Sequence, residues 1–574
     1  MTQPANAPTG WWMHHADPEH SGYVSDSPIN SSNASKLAVH KELQLGGPVL
    51  STPAVVDGYV YVGTANAHGA VGSNGGSLYR IELATGAIAA TYDWAIEPQD
   101  RDAHGFCGMG CTPAVVGGKV YFVAFNAKLY CLDQETLEPV WITDLRYADT
   151  DHNQPVANTV GMSTDMSDSE DPQYPVVAGW SSPLVVNNCV YTGIGEGENP
   201  NAYSFVYCLD ADTGNVLWLY CTNQFVDGID NQPNMIPAAA VGATLPGFTS
   251  VAPSPITLGC SVWGGIAYDA GLDRLYCPTG NPSPDGMLPC IGYSNGLLAL
   301  DASTGAFAGF VQFPPESSYR PTDIDVDVGG SPTLFTNGQG RRLVALGCKN
   351  GGFMILDAKT LEIVTWRQIL PDASPTPPDN QFPAVDPHPP AWQSSQMNPQ
   401  VTNQTSNNLN NTGENWTGTY STAAVHPGLG RLFLGIGGKN YGMASPGIDT
   451  DTTPFLRAMD WGTLADAWPM DNGTPPRYVN GRPPFYTNGT ESGLALPAVV
   501  NDVVLMSTTN ISVYAFSAKD GTLLWQDQLG AETGGFNGGY GYCMGPAVWQ
   551  DYVVAGALVF GRDGGILRIY KLQD

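Results

Sequence analysis

Positive charge is scarce in this chain: 23 Lys and Arg stand against 53 Asp and Glu, a formal net charge of −30 over 574 residues. Repulsion from phosphate backbones and anionic lipid headgroups follows, which argues against nucleic acid as a partner. Long apolar runs are missing as well. No stretch approaches the roughly 18–20 residues that a bilayer-spanning helix needs, so no membrane span is expected. The start MTQPANAPTGWW has neither a basic region nor an apolar region of signal-peptide type, so the chain reads as soluble, its export signal removed or never there. There is no Cys-x-x-Cys-His haem signature and no His cluster with zinc spacing. His14, His15 and His20, in WWMHHADPEHSGY, read as a structured N-terminal strand and turn.

What the chain has in quantity is turn and core material: 68 Gly, 46 Pro, 14 Trp and 42% hydrophobic residues against 13% charged ones. That describes a folded, turn-rich protein rather than a disordered one. The 11 Cys are an odd number, with only Cys107 and Cys111 close together. At least one thiol stays unpaired unless it bonds between chains, and the count leans towards an oxidising compartment.

One phrase recurs: SLYRIELATGAIAATYDW from Ser77, KLYCLDQETLEPVWITDL from Lys128, FVYCLDADTGNVLWLY from Phe205, GLLALDASTGAFAGF from Gly296, GFMILDAKTLEIVTW from Gly352 and SVYAFSAKDGTLLWQDQL from Ser512. Each is strand, tight turn, strand: alternating apolar residues, a polar Asp-x-x-Thr-Gly turn with its left-handed glycine, and a closing Trp. A second phrase precedes it, as in STPAVVDGYVYVG at Ser51 and SSPLVVNNCVYTG at Ser181, and adds another hairpin. The unit therefore has four strands. With a degenerate copy at Phe455 and a final strand ILRIYKL at Ile566, the count comes to eight. The fold expected is all-β, one eight-bladed β-propeller of four-stranded antiparallel blades spanning 1–574. Two stretches break the rhythm, at about 222–258 and 371–413, and read as insertions over a site or as plain loops. The last strand needs a partner, and the segment around Trp11 and Trp12 is the candidate to supply it.

Several segments resemble the quinoprotein alcohol dehydrogenases, nearest to their polyvinyl alcohol dehydrogenase-like members, over nearly the whole chain. In VWGGIAYDAGLDRLYCPTGNPSP the resemblance implies that Trp263 lies flat against pyrroloquinoline quinone and that Asn281 offers an amide oxygen to a metal ion. An indole face suits a planar quinone, and a hard cation wants oxygen ligands. In SSPLVVNNCVYTGIGEGENPNAYSFVYCLD, Glu198 falls at the family's metal-binding carboxylate, with Glu196 as the fallback. In SYRPTDIDVDVGGSPTLF, Asp325 falls at the catalytic base and metal ligand, although Ile324 stands where relatives usually have Trp. In CKNGGFMILD, Lys349 and Asn350 fall beside the quinone oxygens, where a cation stabilises developing negative charge. ENWTGTYSTAAVHPGLGRLFLG supplies Asn415 and Trp416 as hydrogen-bond donors to the cofactor.

Relatives often have two adjacent cysteines forming a ring above the quinone; here the segment is CGMGC, so Cys107 and Cys111 either bond across the loop and cover that face or are structural. With no haem signature, electrons go to a separate acceptor. The activity implied is oxidation of a small-molecule or polymeric alcohol in the periplasm or outside the cell. The metal expected is calcium; Asp327, two residues after Asp325, keeps a lanthanide open, because an Asp at that offset marks lanthanide enzymes among related methanol dehydrogenases. The alternative function is a cofactor-free β-propeller scaffold for protein–protein interaction, as in outer-membrane assembly factors, since fold alone does not establish chemistry.

Overall fold

A computed structural model describes residues 8–66, 76–94, 107–145, 179–195, 204–222, 224–225, 235–237, 256–280, 282–283, 293, 296–312, 328–349, 351–369, 421–436, 455–468, 493, 495–508, 511–529, 541–559 and 564–574. Among these residues the only helices are two short 3₁₀ turns, Ala34–Lys36 and Pro427–Leu429. None is long and apolar enough to cross a membrane.

The strands form eight antiparallel blades in chain order, each built outward from a short inner strand. The inner strands are Ala54–Val56, Ala114–Val116, Leu184–Val186, Ala267–Asp269, Thr333–Thr336, Ala424–His426, Ala498–Val500 and Ala547–Trp549, for blades 1 to 8. Blades 1 to 5 and blade 7 have four strands by consecutive hairpins. Blade 6 has three among the described residues, with a single bridge from Met459 to Asp466 beyond them. Blade 3 carries a fifth strand, Met235–Pro237, outside Val216–Cys221, so part of the 222–258 stretch extends a blade. The 371–413 stretch lies outside the described residues.

The closing strand corrects one expectation. The last strand, Gly565–Leu572, pairs with Leu37–Leu45, which becomes the outermost strand of blade 8. Trp11 instead pairs with Val55 on the inner edge of blade 1. In Leu37–Leu45 only the two end residues are buried and the rest are partly or fully exposed, as suits an outermost strand, whereas Trp11 and Trp12 are almost wholly buried. Arg568 ties the closure by ion pairs to Glu42 and to Asp527 of blade 7.

The repeated turn accounts for its own sequence. Asp133 Oδ1 accepts hydrogen bonds from the backbone N–H of Glu135 and Thr136 and from the Thr136 hydroxyl, at 2.9–3.0 Å. Asp210 and Asp460 repeat the pattern. The closing Trp bonds the next blade: the indole N–H of Trp141, Trp218 and Trp468 donates to the carbonyl of Ala211, Ala302 and Ala518, at 3.2, 3.2 and 3.1 Å.

The residue that closes the turn is left-handed in blades 1 to 7, Gly in four of them and Leu in three, and from blade 2 onward the preceding blade decides which. Gly214, Gly305 and Gly521 (φ 71–73°) follow blades that close with Trp141, Trp218 and Trp468. Leu137, Leu361 and Leu464 (φ 58–60°) follow blades with Ala90, Gly309 and Thr365 at the equivalent outer-strand position. A Cβ on Gly214 would lie 2.6 Å from the Trp141 ring, while one on Gly309 would lie 2.8 Å from Leu361. At these six interfaces bulk is thus supplied once, by a Trp from one blade or a Leu from the next, whereas Gly86 of blade 1 meets the stem of Lys41. Gly214→Leu alone is expected to lower the thermal midpoint sharply, and Trp141→Ala alone to lower it by loss of packing. The double variant should recover part of the loss, with a coupling of about 1 kcal/mol or more in a double-mutant cycle. Strict additivity would dismiss the exchange.

Candidate functional site

The residues leading into the inner strands hold neighbouring blades together around the axis. The backbone N–H of Thr112 donates to Ser182 Oγ at 3.0 Å, Ser181 Oγ donates to the Gly264 carbonyl at 2.8 Å, and the Gly265 N–H donates to Ser331 Oγ at 2.7 Å. Ser331 N–H in turn donates to Thr422 Oγ1 at 3.1 Å. Four consecutive interfaces, from blade 2 to blade 6, are bridged in this way.

Trp263 stands immediately before this girdle in blade 4, half-buried, while its neighbours Val262 and Gly264 are buried. Lys349, in the turn two residues after the second strand of blade 5, is 7% exposed and has its Nζ 5.0 Å from the centroid of the Trp263 ring. A buried ammonium beside a part-open indole joins a stacking surface to a fixed positive charge. The residues present therefore fit a flat, electron-poor ring with carbonyl oxygens: the indole offers a face and Lys349 a donor.

Other candidate segments meet the same place through their described neighbours. A Cβ on Gly195, which precedes Glu196, would lie 3.0 Å from Ser261 Cβ, and one on Gly193 would lie 2.5 Å from Val262 Cβ. Gly280 N–H donates to the Ser261 carbonyl at 2.7 Å, and Pro282 pairs with Gly259. The flanks of Glu196 and Asn281 thus converge on Ser261–Val262, beside Trp263. Glu196, Glu198, Asn281, Ile324, Asp325, Asp327, Asn350, Asn415 and Trp416 themselves lie outside the described residues. Among the described residues no group of three or more His, Cys, Asp or Glu could hold a metal ion.

Cys107 and Cys111 are both buried. Cys107 lies on a short strand paired with Ala65–Asn66. Cys111 is a free thiol whose Sγ donates to the Val123 carbonyl at 3.1 Å, and burial pushes it up to about 12, so it stays protonated. The bond across the CGMGC loop is not formed in this structure.

Sequence reasoning missed Ser181 and Ser331, which clamp the turn after Trp263 from both neighbouring blades. The histidine segment is a strand and turn, as read, and it also bonds the inner edges of several blades. The signal available was WWMHH, too much aromatic bulk for an exposed N-terminal arm.

Comparison with known proteins bears on the fold and on part of the sequence. A family model described as the β-propeller domain of glucose/ethanol/alcohol dehydrogenases matches residues 157–426. A second, described as the outer membrane protein assembly factor BamB, matches residues 42–218. The dehydrogenase subunit of the quinone alcohol dehydrogenase of Gluconacetobacter polyoxogenes is 27% identical over 379 residues, which are 63% of this chain and 46% of that protein. A quinohemoprotein alcohol dehydrogenase of Pseudomonas putida is 25% identical over 351 residues, 59% of this chain and 42% of that one. The chain spans less than half the length of these relatives. Among solved structures, a europium-containing methanol dehydrogenase superposes with a TM-score of 0.65 at 16% identity, covering 99% of this chain and 98% of that one. The quinohemoprotein alcohol dehydrogenase of Comamonas testosteroni gives 0.65 at 17% identity, over 99% and 81%. The chain thus shares its propeller fold with these solved structures, and residues 157–426 are similar in sequence to the dehydrogenase propeller domain.

Proposed function

We propose that the protein oxidises an alcohol, small or polymeric, by hydride transfer to bound pyrroloquinoline quinone with metal assistance. One observation carries the reading: the flanks of Glu196 and Asn281 converge beside Trp263, and a buried cation, Lys349, stands over its ring. Trp263 gives the quinone its floor. Lys349 and Asn350 face its oxygens, and Asn415 and Trp416 donate further hydrogen bonds. Glu198, with Glu196 as the alternative, joins Asn281 and Asp325 in supplying oxygen ligands to the metal. When bound, the metal-polarised quinone is the hydride acceptor. Asp325 takes the proton from the alcohol hydroxyl, and Lys349 stabilises negative charge that develops beside it. Cys107 and Cys111 enter only as the residues bounding the Gly108–Gly110 segment. Electrons then pass to a separate acceptor, and the setting is the periplasm or the cell exterior.

The test adds quinone and Ca²⁺ to the purified apoprotein and follows the absorbance of bound quinone. Absence of binding at micromolar quinone sinks the proposal. Trp263→Ala is expected to weaken binding by about tenfold or more, since the indole contributes buried area and stacking of about 0.5–1.5 kcal/mol beyond it. Unchanged affinity would remove Trp263 from the site.

Calcium is the metal proposed, with a lanthanide as the alternative that turns on Asp327. A trivalent ion gains more than Ca²⁺ from one extra carboxylate. With the quinone present, activity on Ca²⁺ that Asp327→Ala leaves unchanged is expected. Higher activity on La³⁺ that disappears in Asp327→Ala would overturn the calcium assignment.

The second reading, a cofactor-free scaffold, draws on the assembly-factor match over residues 42–218. A binding scaffold has no use for a buried ammonium over a part-open indole, and the quinone titration separates the two.

A further inference from the structure

The segment from Pro8 to Val24 closes the inner edges of the propeller. Gly10 and Trp11 pair with Val56 and Val55 of blade 1. Backbone N–H groups of Val115, Tyr268, Leu334, Val425 and Val499, in blades 2, 4, 5, 6 and 7, donate to the carbonyls of Trp12, Pro18, Glu19, Ser21 and Gly22 at 2.7–2.8 Å. One segment thus satisfies inner-edge donors of five blades and pairs with a sixth, so its course across the axis is fixed by the ring itself.

The same segment carries two imidazoles to the underside of the Trp263 turn. His14 and His20 meet edge to face, with ring centroids 4.8 Å apart at 76°. His20 Nδ1 lies 3.0 Å from the Pro332 carbonyl, which anchors that ring to blade 5. A Cβ on Gly265 would lie 2.7 Å from His14 Cδ2 and 3.1 Å from His20 Cε1, so the two rings press on the glycine Cα. Gly265 is two residues from Trp263. The turn is then held on three sides: by Ser181 Oγ on the Gly264 carbonyl, by Ser331 Oγ on the Gly265 N–H, and by the imidazole pair. Both ring nitrogens of His14 are buried and have no hydrogen-bond partner among the described residues. Its contribution to the turn is therefore contact by ring bulk.

We infer that His14 is a positioning residue of the quinone site, its ring bracing the Gly264–Gly265 peptide that sets the plane of Trp263. The inference rests on the quinone reading above. It makes the amino-terminal segment a working part of the cofactor floor as well as a seal on the axis. A floor displaced by a fraction of an ångström presents its face at the wrong height, and site geometry tolerates only about 0.5 Å.

The test measures quinone affinity by absorbance titration, with thermal midpoints alongside, in the full chain carrying His14→Ala, His14→Phe, His14→Gln, Gly265→Ala or the pair His14→Ala with Gly265→Ala. His14→Ala should bind quinone about tenfold more weakly. His14→Phe, which keeps the ring and discards the nitrogens, should stay within about threefold of wild type on the same scale. Gly265→Ala should weaken binding by pushing against the His14 ring, and removing that ring in the double variant should restore part of the affinity. Wild-type affinity in His14→Ala overturns the inference. So does a loss in His14→Phe that His14→Gln escapes, because the nitrogens and not the bulk would then matter. Additive losses in the double variant overturn it as well. Failure of the wild type itself to bind quinone overturns the functional reading instead, so the two failures are told apart.

Discussion

Asp325→Asn is expected to cut turnover by roughly 100-fold or more while leaving quinone affinity within a few fold of wild type, because a positioned base typically contributes 10²–10⁴ and the amide cannot accept the hydroxyl proton. The substitution keeps the shape and an oxygen ligand, so the fold and metal binding should survive at saturating metal. Steady-state kinetics with an artificial electron acceptor give the turnover, and the absorbance titration gives the affinity. A loss that more metal repairs would make Asp325 a ligand only. Retained turnover at every metal concentration would move the base elsewhere, with Asp327, two residues further along the chain, next in line.

The repeat was legible because each blade encodes its turn locally. Asp133, Asp210 and Asp460 gather hydrogen bonds within three residues, a pattern that needs no knowledge of the rest of the chain. Eight blades could therefore be counted from the sequence. What joined the ring was not legible: Leu37–Leu45 lacks the turn phrase, and its partner lies more than 500 residues away in the chain. Trp11 and Trp12 drew attention by hydrophobicity, yet burial there comes from the axis and from the inner edge of blade 1.

The site divides the same way. Trp263 and Lys349 could be named from motifs in blades 4 and 5, and the structure brings them together. Their proximity, and the bracing of the turn by Ser181, Ser331 and His14, depend on contacts between blades that no local phrase records. Bulk exchange between Trp and Leu at successive interfaces was equally hidden, because it shows only when outer-strand positions are aligned by register.

The axial histidines give the second large effect, a loss of stability in acid. His15 and His20 are 0% and 1% exposed, and burial pushes them down to about 4 and about 3. The carbonyls of His20 and Pro497, each 2.8 Å from a ring nitrogen of His15, favour its charged form without overcoming burial. Burial also lowers His14 well below the usual imidazole range, with charge repulsion from His20 and His15 adding to it. The unfolded chain therefore binds protons near pH 6.5 that the folded state refuses, so this stability is complete above about pH 6.5 and is lost as the pH falls towards 4 and 3. By pH 4.5 His15 and His20 should each cost on the order of 2–3 kcal/mol. The other charged groups facing the segment are Asp17, Glu19, Arg342 and Asp269. Arg342 pairs with Glu19 and Asp269 at 2.6 Å and holds those charges in place. Burial raises the Asp17 carboxyl to about 6, which has the opposite sign: it adds stability in acid that is lost as the pH rises through 6. One carboxyl against three imidazoles leaves a net loss on acidification. Thermal midpoints between pH 7 and 4.5 at fixed ionic strength should fall steeply in the wild type and less steeply in His20→Gln, which takes up no proton. Equal slopes in the two proteins would mean that His20 is protonated in the folded state, and that the segment on the axis is more open to water than its packing implies.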